Sequence, residues 1–241
     1  MLRESVKMVC QDGYGSLVLA LAFCLTACGS VETAVTNVSM EAGNWDILHS
    51  YGMPAHPTAV STGWVFSFPE GRDNCVSKKD ANCPTVHYVS TKYTGTINIG
   101  AVIHVEGKIE ADPAVVWNYH FERANTCNTP ASTHVMLQIK NDDLVKSDGR
   151  YWSTPVGITL INGTFTLNIL VNEGNWTNVD GGFNKDGFNK LLKNMDNVGF
   201  TFGGGCFFGH GVSVSGGKAK FYVTSFTIKE GGTTRGKRYE R

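Results

Sequence analysis

The sequence predicts an all-β fold, a two-sheet antiparallel β-sandwich carrying one short helix. Three observations predict it. Segment after segment alternates apolar and polar residues with a period of two, the pattern of strands with one buried face. Gly and Asn cluster between those segments, where a reversing chain needs positive φ. A single stretch, near residue 190, repeats its apolar residues at helical spacing. The 241 residues suffice for one large β domain. Glycine supplies 28 of them, well above the roughly 7% of average composition, and most of the excess falls at the expected turns.

The chain opens on an apolar run, Leu17 to Leu25 (LVLALAFCL), followed by the small residues Thr26 and Ala27 and then Cys28. As a helix this run rises only about 14 Å, well short of a ~30 Å hydrocarbon core, so it reads as a secretory signal. Leu25-Thr26-Ala27-Cys28-Gly29 resembles the lipobox of bacterial lipoproteins. The resemblance implies that residues 1–27 are removed, that Cys28 is diacylated, and that the protein is anchored in the cell envelope. Gly29 next to the cysteine implies sorting to the outer membrane, with an extracellular location as the alternative. Residues 28–44 have no clear period and read as a tether. Residues 45–230 read as the folded domain. Residues 231–241 carry Arg235, Lys237, Arg238 and Arg241 and read as a basic, flexible tail.

Within the domain, Ile103, Val105 and Ile109 alternate with His104, Glu106, Lys108 and Glu110. Val115, Trp117, Tyr119 and Phe121 form the next apolar face. Val135, Leu137 and Ile139 follow, and then Phe165, Leu167, Ile169 and Val171. Further strands are expected at residues 63–68, 85–90, 198–202, 211–215 and 219–228. In the last of these the apolar phase slips between Val223 and Phe226, which predicts a bulge. Phe188, Leu191, Leu192 and Met195 predict a helix over 186–195 with Asp186 placed to cap it, long enough to cover one end of a sandwich. About ten strands with one helix, and no internal repeat, indicate a jelly roll.

From Trp176 to Ile228 the chain orders a loop tryptophan (NWTNVDG), a short helix (FNKLLKNM), the strand Val198 to Gly203 and a final hairpin. This order resembles the C-terminal half of jelly-roll carbohydrate-binding modules, which implies a sugar-binding role. Of the seven cysteines, Cys75, Cys83, Cys127 and Cys206 remain once the signal is removed and Cys28 is acylated. An even count in an exported domain suggests two disulfides. Three pairings of these four are possible; because Cys75 and Cys83 flank a polar loop, the expectation is Cys75 with Cys83 and Cys127 with Cys206. No C-x-x-C is present to suggest a metal site.

Charge narrows the ligand. There are 21 basic and 21 acidic residues, and removing residues 1–27 takes two of each sign, so the balance stays even. A nucleic-acid binder needs a basic footprint, which argues against that class. Neutral sugars are held by planar hydrogen-bonding side chains beside an aromatic platform. His104, Glu106, Asn118, His120, His134 and Gln138 recur on the polar faces of the expected strands and supply the former. Trp176, Trp152 and Tyr151, in Gly/Asn-rich surroundings, are candidates for the latter. Trp64 and Trp117 are in phase with apolar neighbours and are assigned to the core.

Catalytic signals are sparse. Glu106 and Glu110 are ~13 Å apart on one strand, too far for a glycosidase pair. Val135 to Lys140 (VMLQIK) is similar to a strand of alginate-lyase-like jelly rolls, with Lys140 where that family has His. His104, His120 and His134 could form a three-His metal centre if their strands were neighbours. Structural calcium could use Asp142, Asp143 or Asp180. The reading is an exported, lipid-anchored domain that binds a glycan or cell-surface polysaccharide without chemistry. A polysaccharide lyase or hydrolase on the same fold, and a structural envelope protein, are the alternatives.

Overall fold

The computed structural model describes residues 34–48, 50, 53–71, 84–119, 129–140, 142, 146–204 and 207–231. The expected signal, Cys28, Cys75, Cys83, His120, Cys127, Asp143, Cys206 and the basic tail lie outside them. The described chain begins with β1 (Val35–Asn37), β2 (Trp45–Leu48), β3 (Thr58–Ala59), β4 (Trp64–Ser67) and β5 (Tyr88–Lys92). There follow β6 (Val102–Ala111), β7 (Val116–Tyr119), β8 (Ser132–Ile139), β9 (Arg150–Ser153), β10 (Ile158–Thr159) and β11 (Gly163–Leu170). After β12 (Trp176–Asn178) comes helix α1 (Lys185–Lys193). The chain then closes with β13 (Met195–Gly204), β14 (Phe207–Phe208), β15 (Val212–Ser215) and β16 (Ala219–Lys229).

These strands form a two-sheet antiparallel sandwich of the jelly-roll kind. The first sheet runs β11-β6-β16-β4-β3, with β1 also on β16. The second runs β12-β9-β8-β13-β5-β2, with β10 on β8 and β14 on β13, and β7 pairs with β15 as a separate ribbon. The chain crosses from sheet to sheet repeatedly, so each sheet is built from strands far apart in sequence.

Period-two patterning fills the space between the sheets with aromatics. Trp45, Trp64, Phe200, Phe202, Phe221 and Phe226 are fully buried. Trp45 and Trp64 lie 4.7 Å apart between ring centroids, and Phe200 and Phe221 5.4 Å in an edge-on contact. Each such side chain contributes roughly 1.5–3 kcal/mol by burial, with up to ~1.5 more from ring geometry. Trp64 takes the core position expected of it, while Trp117 is half-buried and edge-on to Phe68 at 4.9 Å.

The predicted bulge is present. Val223 faces Gly107 of β6 and Ser225 faces Glu106, leaving Thr224 as the extra residue. That one residue lets Phe221, Val223, Phe226 and Ile228 all point inward, each fully buried. The helix starts at Lys185, and its cap is Asn184 rather than Asp186: the Asn184 side chain accepts from the Gly187 N–H at 3.1 Å. Asp186 falls in the first turn, where its charge suits the helix dipole. Phe188 stacks on Trp176 at 5.8 Å, so the helix closes one end of the core as expected.

The segment 34–44, expected to be tether, is built into the domain. β1 pairs with β16, Val38 and Ala42 are buried, and the Ser39 carbonyl accepts from Trp45 Nε1 at 2.7 Å. The side chains of β1 are all exposed, so no alternation marks it in sequence.

Candidate functional site

The structure separates the residues selected from sequence. Trp176 and Tyr151, expected to stack on a ligand, are fully buried in the core. Trp176 opens β12 and not a loop; its Nε1 donates to the Leu170 carbonyl at 3.3 Å. The Tyr151 hydroxyl donates to Asp148 at 2.7 Å, and burial together with that carboxylate raises its pKa. His104 and Glu106 lie on the outer face of the first sheet, where the imidazole bridges Asn168 (2.9 Å) and Glu106 (3.1 Å). This face is solvated, with Glu106 half-exposed. Asn118 belongs to the β7–β15 ribbon. His104 and His134 are on different sheets and cannot share an ion. Among the described residues no three His, Cys, Asp or Glu side chains gather as metal ligands.

Three of the selected residues do come together. Trp152 and Gln138, with His134, lie on the outer face of the second sheet, and the strand register builds that face row by row. Trp152, Met136, Gly199, Ser90 and Asp46 follow one another across five strands. Arg150, Gln138, Asn197 and Lys92 form the next row. His134, Thr201, Tyr88 and Leu48 lie on the other side of the first row. Gly199 leaves the middle bare, and a Cβ there would come 2.2 Å from the Val89 carbonyl oxygen. The outward residues of β8 alone, Ser132 to Gln138, span ~20 Å.

The middle of this face is shielded, with Trp152 3% and Met136 1% exposed; its charged and amide groups pair with one another, while the buried Thr201 hydroxyl has no partner among the described residues. Arg150 reaches over the neighbouring strands: its Nη1 donates to the Tyr88 hydroxyl at 2.9 Å, and its Nε lies 2.9 Å from Asp142 Oδ2. Gln138 donates to the same carboxylate at 3.0 Å and accepts from Asn197 at 3.2 Å. Burial pushes the Tyr88 pKa up, opposed by the nearby guanidinium. Removing one partner of such a buried ion pair costs ~3–5 kcal/mol. Asp142, a calcium candidate from sequence, thus answers Arg150, and Asp180 is exposed in a turn.

The face opens at its His134 end into a cavity of about 290 Å³, lined by Thr129, Ser132, His134, Thr154, Thr159 and Phe208 together with two prolines and Gly157. The lining contains no Asp, Glu, Lys or Arg. His134 is 5% exposed, and its Nδ1 lies 2.6 Å from the Ser153 carbonyl oxygen, so Nδ1 is the protonated nitrogen. Nε2 then accepts from Ser132 Oγ at 3.3 Å. Burial lowers the His134 pKa against the pull of the Ser153 and Val156 carbonyls, and the ring is neutral at pH 7. Phe208 packs against it at 4.0 Å. Gly157 is required here, because a Cβ would come 2.3 Å from the imidazole.

Sequence reading missed Arg150, Tyr88, Phe208 and the three threonines. The β9 alternation is too short to show, and the threonines converge from separate loops and strands. No family model and no curated protein matches the sequence. Among solved structures, a xylan-binding module, CBM15, is similar at 14% identity and a TM-score of 0.40, over 82% of this chain and 97% of that one. Xylanase10C from Cellvibrio japonicus, in complex with xylopentaose, is similar at 15% identity and 0.39, over 81% of this chain and 28% of that one.

Proposed function

We propose that the protein is a non-catalytic binding module for neutral glycans, with its site in the cavity beside His134. The lining carries this reading: four hydroxyls, a neutral imidazole and a phenyl ring, with no charged side chain. A sugar ring presents hydroxyls that both donate and accept, around a C–H face that packs on an aromatic. Ser and Thr hydroxyls and Phe208 match both properties. The volume suits a small ligand or one end of a longer chain. The Arg150–Asp142 pair lies on the same outer face beyond the Trp152–Met136 row and is self-neutralised, so it brings no net charge toward the cavity.

Affinity gels cast with neutral polysaccharides, xylan first, test the reading. Retention is expected on at least one neutral glycan, and Phe208→Ala should weaken it ~10-fold, about 1.4 kcal/mol. Thr159→Val, which removes a hydroxyl at nearly constant volume, should weaken it as well. No retention on any neutral glycan, or retention that both variants leave intact, refutes it. Release of new reducing ends would refute the non-catalytic part.

Export and acylation at Cys28 belong to the same proposal, as do disulfides Cys75–Cys83 and Cys127–Cys206. Their flanking residues support the pairings. Ser132 pairs with Gly203, so the chain segments leading to Cys127 and Cys206 start side by side. A Cβ at Gly71 would lie 3.4 Å from the Pro84 carbonyl oxygen, so the described residues on either side of Cys75 and Cys83 lie next to one another.

A further inference from the structure

We infer that β11 is a dimerisation edge, which pairs antiparallel with β11 of a second copy of this chain about a two-fold axis at Thr166. Sheet edges are hazards that proteins normally blunt with short strands, charges, prolines or bulges. The other terminal strands of the two sheets are short among the described residues: β3 has two residues, β1 and β12 three each, and β2 four. β11 has eight residues (GTFTLNIL), none of them charged and none a proline. Its register against β6 runs without a bulge from Gly163↔Ile109 to Leu170↔Val102.

The hydrogen-bond phase shows which backbone groups face outward. Val171 N–H donates to the Ala101 carbonyl and the Val171 carbonyl accepts from Gly100, both at 2.8 Å. Val171 is therefore turned toward β6, and Phe165, Leu167 and Ile169, in the same phase, are too. Thr164, Thr166, Asn168 and Leu170 point their N–H and C=O groups the other way. The Leu170 carbonyl confirms the phase, since it accepts from Asn175 Nδ2 at 3.2 Å and Trp176 Nε1 at 3.3 Å. Those two side chains close that end of the edge. Among the described residues, the N–H and C=O groups of Thr164, Thr166 and Asn168 have no backbone partner along the strand.

A two-fold axis at Thr166 uses all of them. Thr166 then faces its own copy and Thr164 faces Asn168 of the second copy, giving six backbone hydrogen bonds. On the solvent side this opposes Thr to Thr and Thr to Asn. On the core side it opposes Phe165 to Leu167, which are only half-buried in the single chain. Ile161, 64% exposed beside the strand, lines the same groove and would gain cover. The contact is self-complementary, as an isologous interface must be, and no charge opposes it. It is also small, so the dimer should be weak and concentration-dependent.

Sedimentation equilibrium on the purified protein, from about 1 µM to 1 mM, tests this. The average mass should rise with concentration to twice that of one chain. Thr166→Lys sets two ammonium groups against each other on the axis and should keep the protein monomeric throughout. Thr166→Pro should do the same without loss of fold, because the N–H it removes faces away from β6. Circular dichroism and thermal unfolding close to the parent show that each variant is folded. A monomer at every concentration, or a dimer that neither substitution weakens, overturns the inference. A mass that rises only on addition of a separate extended peptide assigns the edge to another chain and also overturns it.

Discussion

His134 shows what one side chain decides at the candidate site. Its Nδ1–H is spent on the Ser153 carbonyl, so its remaining nitrogen is an acceptor at the cavity wall. Because burial lowers its pKa from the ordinary 6.5, the unfolded chain takes up a proton before the folded one does. Stability from the neutral ring is therefore complete above about pH 6.5 and is lost as pH falls from there through the folded-state pKa. Between pH 7.5 and 5 the melting temperature should fall more steeply for the parent than for His134→Gln, as read by thermal unfolding in low-salt buffer. Parallel slopes would remove the buried imidazole from the account. Glycan retention should weaken over the same range, since a protonated ring offers no acceptor.

At the scale of elements, two details set how the framework holds the site. The Thr224 bulge keeps both halves of β16 facing the core, and its position was legible because Phe221, Val223, Phe226 and Ile228 break phase between Val223 and Phe226. The helix was legible too, but its cap was not. Asn184 wins over Asp186 because its side chain both accepts from Gly187 N–H and donates to Asp148 at 2.9 Å. Asp148 also receives Tyr151 and Asn178. The cap thus ties the helix to β9 and β12. Asn184→Ala should cost ~1–2 kcal/mol in urea unfolding. Asn184→Ser, which retains a capping oxygen, should recover part of that loss. Equal losses for both would mean that the capping bond contributes nothing.

At the scale of the whole molecule, the proposed anchor and disulfides are read together by intact mass. Protein purified from a bacterial envelope should begin at Cys28, carry two acyl chains on it, and take up no alkylating reagent at Cys75, Cys83, Cys127 or Cys206 until it is reduced. Two disulfides of this kind would each add ~2–5 kcal/mol by restricting the unfolded chain. A chain that retains residues 1–27 would refute the anchor, and free thiols on the folded protein would refute the staples.

What the sequence determined by itself is the class of fold and the location of most long strands, because period-two burial is written residue by residue along the chain. Its balanced charge also pointed away from nucleic acid, and its phase slip located a bulge. The tertiary structure alone decided which polar faces meet. His104 and His134 both read as outward strand residues, yet they sit on different sheets, because alternation records a side chain's face and not the strand's neighbours. Likewise Trp176 reads as a loop residue and is fully buried, since the helix that covers it arrives from later in the chain. The cavity joins residues from 129 to 208, and contacts over such separations are created by strand pairing, about which local pattern is silent.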